Sequence, residues 1–393
     1  MFFLLLLVMM GGSFYYISSR LPDRLQVASI EKVKDIELPF AGIVEEEVVP
    51  ASGTGTSNIP SGAVKVQCSL FGIIPVKTVE IQEKVPQQVL PCGNTVGIFM
   101  ETKGILVVGT GIVGGVDGLD YEPALHIVQS GDYITAVDGT RIFTKEELVA
   151  HVNDCSGSDV TLTVQRNGEE IALQISPVCT GTDEYKLGIW VRDDTQGIGT
   201  LTYADAEGNY GALGHGISDV DTGALLEIRD GKLYRAEVES IKKGEKGVPG
   251  ELSGIIRYQE NQQIGTITRN TETGISGKLN VFLEEASSAK PVEIAYKQEI
   301  QEGPAVIRCE IDGNIKEYEI EIEKINLNHN EVNKSMVLRV TDEELLEKTG
   351  GIVQGMSGSP ILQNGRMVGA VTHVLVNDPT RGYGIFIENM LEH

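Results

Sequence analysis

The chain has 393 residues, 41% of them hydrophobic, which is too long for one ordinary core and predicts two or three domains. Its formal charge of −24 excludes a nucleic-acid binder, because such a protein must neutralise phosphates with a basic surface. Forty-six glycines and few aromatics point to short strands and tight turns instead of long helices.

At the N-terminus, "MFFLLLLVMMGGSFYYISSR" is almost continuously apolar from Phe2 to Ile17. As a helix that run measures about 24 Å at 1.5 Å per residue, short of the roughly 30 Å of a hydrocarbon core. It has no basic start and no A-x-A cleavage site, so residues 1–20 read as a signal anchor or signal peptide. The rest of the chain then lies on one side of a membrane. Residues 21–95 divide into the flexible linker "ASGTGTSNIPSG" (Ala51–Gly62) and a small β-element, two strands around a turn in "AVKVQCSLFGIIPVKTVEIQEKVPQQV".

In the next unit, "GIFMETKGILVVGTG" predicts two strands. A short helix near Pro123–Val128 follows, then a strand Tyr133–Val137 ending in the Asp138-Gly139 turn. A helix over Thr144–Asn153 and two strands meeting at Asn167-Gly168 complete the unit. With "SGDYITAVDGTRI", this order resembles a PDZ domain over residues 96–178. The resemblance implies a groove that takes an extended peptide along a sheet edge.

From Tyr185 onward the chain is a series of short strands punctuated by Gly, Asn and Asp. The exception is a helix over Asp342–Thr349, with Thr341 as N-cap and Glu344 as its capping-box partner. That spacing suits a β-barrel or paired barrels and does not suit an alternating α/β hydrolase. Five cysteines (Cys68, Cys92, Cys155, Cys179, Cys309) form no C-x-x-C pair and have no histidines at metal spacing, so no metal site is expected. Their odd number precludes complete intrachain pairing, although Cys155 and Cys179 fall in one small unit.

"GMSGSPI" (Gly355–Ile361) carries the chemistry. A serine hydroxyl becomes a nucleophile when a histidine takes its proton and an acid orients the histidine. The loop must also offer backbone N–H groups to the oxyanion, which requires a tight turn and hence glycine. Ser357 is the central serine, Gly355 and Ser357 supply the N–H donors, and a strand–Asn364-Gly365–strand hairpin follows, as in trypsin-like enzymes. Ser359 ranks second as nucleophile. A G-x-S-x-G elbow is excluded, since its fifth position is Ser359 and only His393 follows Asp378. Of the six histidines, His126 and His151 fall in the PDZ-like unit, His329 in a polar loop and His393 at the terminus. His373 reads as a packed strand residue. His215, bracketed by glycines in "GALGHGIS", is the leading base, with Asp219 and Asp221 as nearby candidate acids.

The stretches "YGALGHGISDVDTG" and "TGGIVQGMSGSPILQNGRMVGAVTHVLVNDPTRGYGIFIENML" resemble the SpoIVB peptidases, the stage IV sporulation protein B family, and the resemblance extends over the whole chain. It implies a mainly β protein: an N-terminal membrane anchor, a PDZ domain and a C-terminal trypsin-like double β-barrel serine peptidase domain over residues 180–393. It further implies an endopeptidase in the space between the forespore membranes that needs no cofactor. Such an enzyme cleaves itself and then a regulator of an intramembrane protease, triggering activation of the late mother-cell sigma factor. Carried over residue by residue, His215 is the general base, Ser357 the nucleophile and Asp342 the acid. Asp342 stands only fifteen positions before Ser357, at a helix start that would favour a carboxylate in any case. Asp219 and Asp221 therefore stay open as the acid. The alternative is a catalytically inactive PDZ signalling scaffold at a membrane.

Overall fold

A computed structural model describes residues 12, 14–19, 21–28, 42–47, 63–70, 74–281, 290–327 and 329–392. Most of the expected anchor and all of the Ala51–Gly62 linker lie outside these residues, as does His393. No described helix is long and apolar enough to cross a membrane. The first sheet contains β1 (Arg24–Val27), β2 (Gly42–Glu47), β3 (Ala63–Leu70) and β4 (Ile74–Glu83) in the order β1-β4-β3-β2. β3 and β4 pair antiparallel as the two expected strands, and β1 joins β4 in parallel. Val66, Cys68, Val79 and Ile81 alternate inward and are fully buried, the period of two that strands impose.

After β5 (Gln88–Pro91), the segment expected to form two strands is one, β6 (Thr95–Thr110). Its first half puts Val96, Ile98 and Met100 into one core; its second half puts Ile105 and Val107 into another. The second core belongs to a module of β7 (Val113–Gly114), β8 (Asp120–Tyr121), β9 (Tyr133–Val137), β10 (Thr140–Arg141), α1 (Lys145–Asp154), β11 (Val160–Arg166), β12 (Glu169–Ile175), β13 (Val178–Gly181) and β14 (Glu184–Lys186). Thr144 caps α1 in a capping box with Glu147. The expected helix at Pro123–Val128 is a turn instead, because His126 takes φ 63°, outside helical space. All five cysteines, including Cys155 and Cys179, are free.

The chain returns along β15 (Ile189–Ala204), whose residues from Ile189 to Thr200 pair with β6. It continues through β16 (Asn209–Ala212), β17 (Ile228–Lys242), β18 (Glu251–Ile256), β19 (Gln263–Thr271) and β20 (Gly274–Leu279). β6, β17, β19, β20, β16 and β15 pair in a ring, the first of two six-strand barrels. At the boundary expected at residue 96, Thr95–Glu101 is a barrel strand with β15 on one side and β17 on the other. The module is inserted between two neighbouring barrel strands. At the junction, buried Asp193 accepts from the Lys145 backbone N–H at 2.8 Å, anchoring α1 by its N-terminus, and its carbonyl accepts the Thr102 hydroxyl at 2.9 Å.

Past β21 (Val292–Glu293), the second barrel closes as β22 (Gly303–Glu310), β23 (Ile315–Ile325), β24 (Met336–Val340), β27 (Arg381–Phe386), β26 (Arg366–Val374) and β25 (Pro360–Gln363). Two helices accompany it, α2 (Glu343–Thr349) and α3 (Ile387–Leu391). The Asn364-Gly365 hairpin forms as expected, both residues at positive φ (52° and 74°), as a type I′ turn requires. Ile307, Ile322, Leu338, Met356, Ile361 and Val371 fill this barrel, all fully buried.

Candidate active site

His215 follows β16 at the rim of the first barrel. The approach to it is strained: Leu213 has φ 71°, a conformation that costs a bulky residue about 1–3 kcal/mol. Gly214 also has φ 71°, and a Cβ there would lie 2.9 Å from Ile385 Cγ2 of the second barrel. The two barrels thus touch at the histidine, and glycine is what lets them. After His215, Asn270 of β19 pins the chain: its amide oxygen accepts the Ile217 N–H at 2.9 Å. Its amide nitrogen donates to the carbonyls of Ile217 and Leu226.

The His215 Nδ1 lies 2.9 Å from the Gly216 carbonyl oxygen, which can only accept, so Nδ1 carries the proton. Nε2 then holds the lone pair, the state of a general base. Burial pushes the His215 pKa down, against a smaller opposing effect of the bond to Gly216. The ring of His373 from β26 stands 4.8 Å away, tilted by 35°. Burial foremost, then the neighbouring His215, pushes the His373 pKa down to about 4, and its buried Nδ1 has no partner among the described residues.

Ser357 lies between α2 and β25. Its hydroxyl donates to the Thr372 carbonyl at 2.6 Å and not to His215, so attack requires a rotation about χ1. Met356, Gly358 and Ser359 all donate their N–H groups to protein carbonyls. Those of Gly355 and Ser357 have no protein acceptor among the described residues, as an oxyanion pair requires. Thr200 of β15 clamps this loop from the first barrel. Its N–H donates to the Ser357 carbonyl at 3.0 Å and its hydroxyl to the Gly355 carbonyl at 2.8 Å. Gly358 (φ 97°) is required here, because a Cβ would sit 2.2 Å from the Thr200 carbonyl oxygen.

His215, Ser357, Gly355, Thr372 and His373 line one cleft of about 470 Å³, the size of a ligand site. Asp342 does not line it. Asp342, and not the expected Thr341, caps α2: its Oδ1 accepts the Leu345 N–H at 2.9 Å and its Oδ2 the Glu319 N–H at 3.3 Å. Asp219 is buried, paired with Arg192, and accepts the N–H groups of Asp221 and Thr222 at 3.0 and 2.8 Å. Asp221 is exposed and pairs with Arg192 at 2.9 Å. None of the three carboxylates bonds His215. Ser359 is fully buried with its hydroxyl on the Met356 carbonyl, which removes it as a nucleophile. Cys92 and Cys309 are buried too, and burial pushes both thiols up to about 12. Among the described residues no three His, Cys, Asp or Glu side chains converge as metal ligands.

The sequence reading missed Thr200, Thr372, Arg192 and Asn270, and read His373 only as a packed strand residue. Only His373 and Arg192 carry chemistry visible in one dimension, and their partners lie 158 and 27 positions away in the chain.

Comparison with known proteins bears on this site. A putative zinc metalloprotease (Atu1380) of Agrobacterium fabrum is 35% identical over 77 residues, 18% of this chain and 20% of that relative. The chain thus spans about a fifth of that relative's length. A crystal structure of the Rv3671c protease in an inactive form superposes with a TM-score of 0.26 at 12% identity, over 49% of this chain and 81% of that one. The SpoIVB peptidase S55 family matches residues 183–391, which include His215 and the Ser357 loop. That match spans more than half of the sequence, and the chain belongs to the SpoIVB peptidase S55 family.

Proposed function

We propose that this peptidase is a serine endopeptidase with Ser357 as nucleophile and His215 as general base. The observation that carries the reading is that the N–H groups of Gly355 and Ser357, two residues lining the cleft with His215, have no protein acceptor among the described residues. Ser357 Oγ attacks the scissile carbonyl and its proton passes to His215 Nε2. The carbonyl oxygen gains negative charge against the two N–H groups. Collapse breaks the C–N bond, and His215 returns the proton to the leaving amine. Each oxyanion donor is worth about 3 kcal/mol in the transition state. The Gly216 carbonyl sets the tautomer, a task that an acid performs in a full triad.

The resemblance in the motifs and the family name support the finer reading. The enzyme acts in sporulation, cleaves itself and a membrane regulator of an intramembrane protease, and works between the forespore membranes, tethered by its N-terminus. The inserted module is read as a PDZ domain with a peptide in its groove. The test is fluorophosphonate labelling and peptide hydrolysis by the purified chain. Ser357→Ala should abolish labelling and lower turnover by about four to six orders of magnitude. His215→Ala should slow labelling severely. Asp342→Asn, which keeps a capping oxygen, should label within a few-fold of the parent. Loss of labelling in a stably folded Asp342→Asn would return that carboxylate to the catalytic set.

One observation favours a second reading, the catalytically inactive scaffold: no carboxylate orients His215 among the described residues. Parent protein that resists labelling while still activating its partner would establish that reading.

A further inference from the structure

The segment that carries His215 runs on as a loop to Glu227, and the module grips that loop at both ends. Arg192 stands at the module end of β15, paired in register with Leu106. It forms an ion pair with the buried Asp219 and a second with Asp221 at 2.9 Å. Asp219 in turn builds the turn, accepting the N–H groups of Asp221 and Thr222. At the far end, the Glu227 N–H donates to the hydroxyl of Tyr133 in β9 at 3.1 Å, and the Lys103 N–H donates to the Glu227 carbonyl at 2.9 Å. Between these bonds Leu226 packs with Leu106 and Tyr133 in a small apolar cluster against which Ile217 leans. Ile217 also lines the cleft, two residues from His215.

The loop has internal bonds, among them Asp219 N–H to the Ala224 carbonyl and Leu226 N–H to the Ile217 carbonyl, but its one buried carboxylate is paired to an arginine outside it. Without Arg192, Asp219 would be an unpaired buried charge, and the loop must open to hydrate it. We propose that the inserted module braces the loop bearing the base, and that Arg192 is the positioning residue through which it sets His215 against Ser357. The inference rests on the reading of His215 as general base.

The test uses the full chain and reads the rate of fluorophosphonate labelling against pH, beside a thermal melt. Arg192→Ala should melt cooperatively yet label about ten- to a hundredfold more slowly, the scale of a misplacement near 1 Å. Its acid limb should also move up, because an opened loop lets water reach His215; His373 and Ser357 still face that ring, and Lys334 acts on His373. Arg192→Lys, which can pair with one carboxylate but not bridge both, should recover part of the rate. If Arg192→Ala does not fold, Tyr133→Phe, which keeps the ring and removes the acceptor of Glu227, should slow labelling with the same upward shift. Parental rate and pH profile in Arg192→Ala, or in Tyr133→Phe where the first is unfolded, would overturn the brace. Undiminished labelling of His215→Ala would instead overturn the reading of the base and is scored separately.

Discussion

At the scale of single residues, the two facing imidazoles set the pH behaviour. As the proposed general base, His215 must be neutral to accept the serine proton, and burial holds its pKa below the ordinary 6.5. The acid limb of kcat/KM is therefore expected below pH 6.5, and a limb at or above that value would contradict the burial of the ring. Stability follows with its own sign. Both histidines bind a proton more readily unfolded than folded, so the stability they contribute is complete above pH 6.5. It is lost as pH falls below 6.5 toward the folded value of about 4 for His373. A melting temperature that rises between pH 4 and 7 and flattens above checks this. His373→Phe keeps the packing and should reduce the slope.

At the scale of elements, the cleft is walled by the segment before Ser357 and the end of β26. Ile352, Val353, Val374 and Val376 stand there, and among the described residues no Asp, Glu, Lys or Arg lines the cleft. An ionised side chain entering this space would lose water without gaining a partner, at a cost of several kcal/mol. The expected preference is an apolar residue on the acyl side of the scissile bond. Matched fluorogenic peptides with Val or Leu at that position should exceed their Lys and Glu analogues by at least about tenfold in kcat/KM. A preference for Lys or Glu would mean that a charged group outside the described cleft completes the pocket.

At the scale of the whole molecule, β6 and β15 each serve two cores. Excising residues 96–178, the unit that the sequence delimits, would remove the first strand of a closed barrel and expose the edges of β15 and β17. That variant is expected to lose cooperative melting. Replacing Gly104–Arg192 by a two-residue Asn-Gly turn should preserve it, because Thr102 and Asp193 already hydrogen-bond across the junction. The second variant also lacks Arg192, so it should fold and yet label slowly. Rapid labelling there would show that the first barrel holds the His215 loop unaided.

Local chemistry determined what the sequence alone could settle. Strand alternation and Asn-Gly or Asp-Gly turns marked the hairpins, and the glycine-bounded serine loop marked the proposed nucleophile. Each of these depends on neighbours within a few positions, where backbone sterics and short-range hydrogen bonds act. Only the tertiary structure showed that β6 is one strand shared by two cores, since its apolar pattern is the same in either case. It also showed Asp342 as the cap of α2, where local N–H donors hold the carboxylate. Finally, it brought Thr200, His373 and Arg192 to the site through barrel closure, a long-range event that leaves no periodic signature in one dimension.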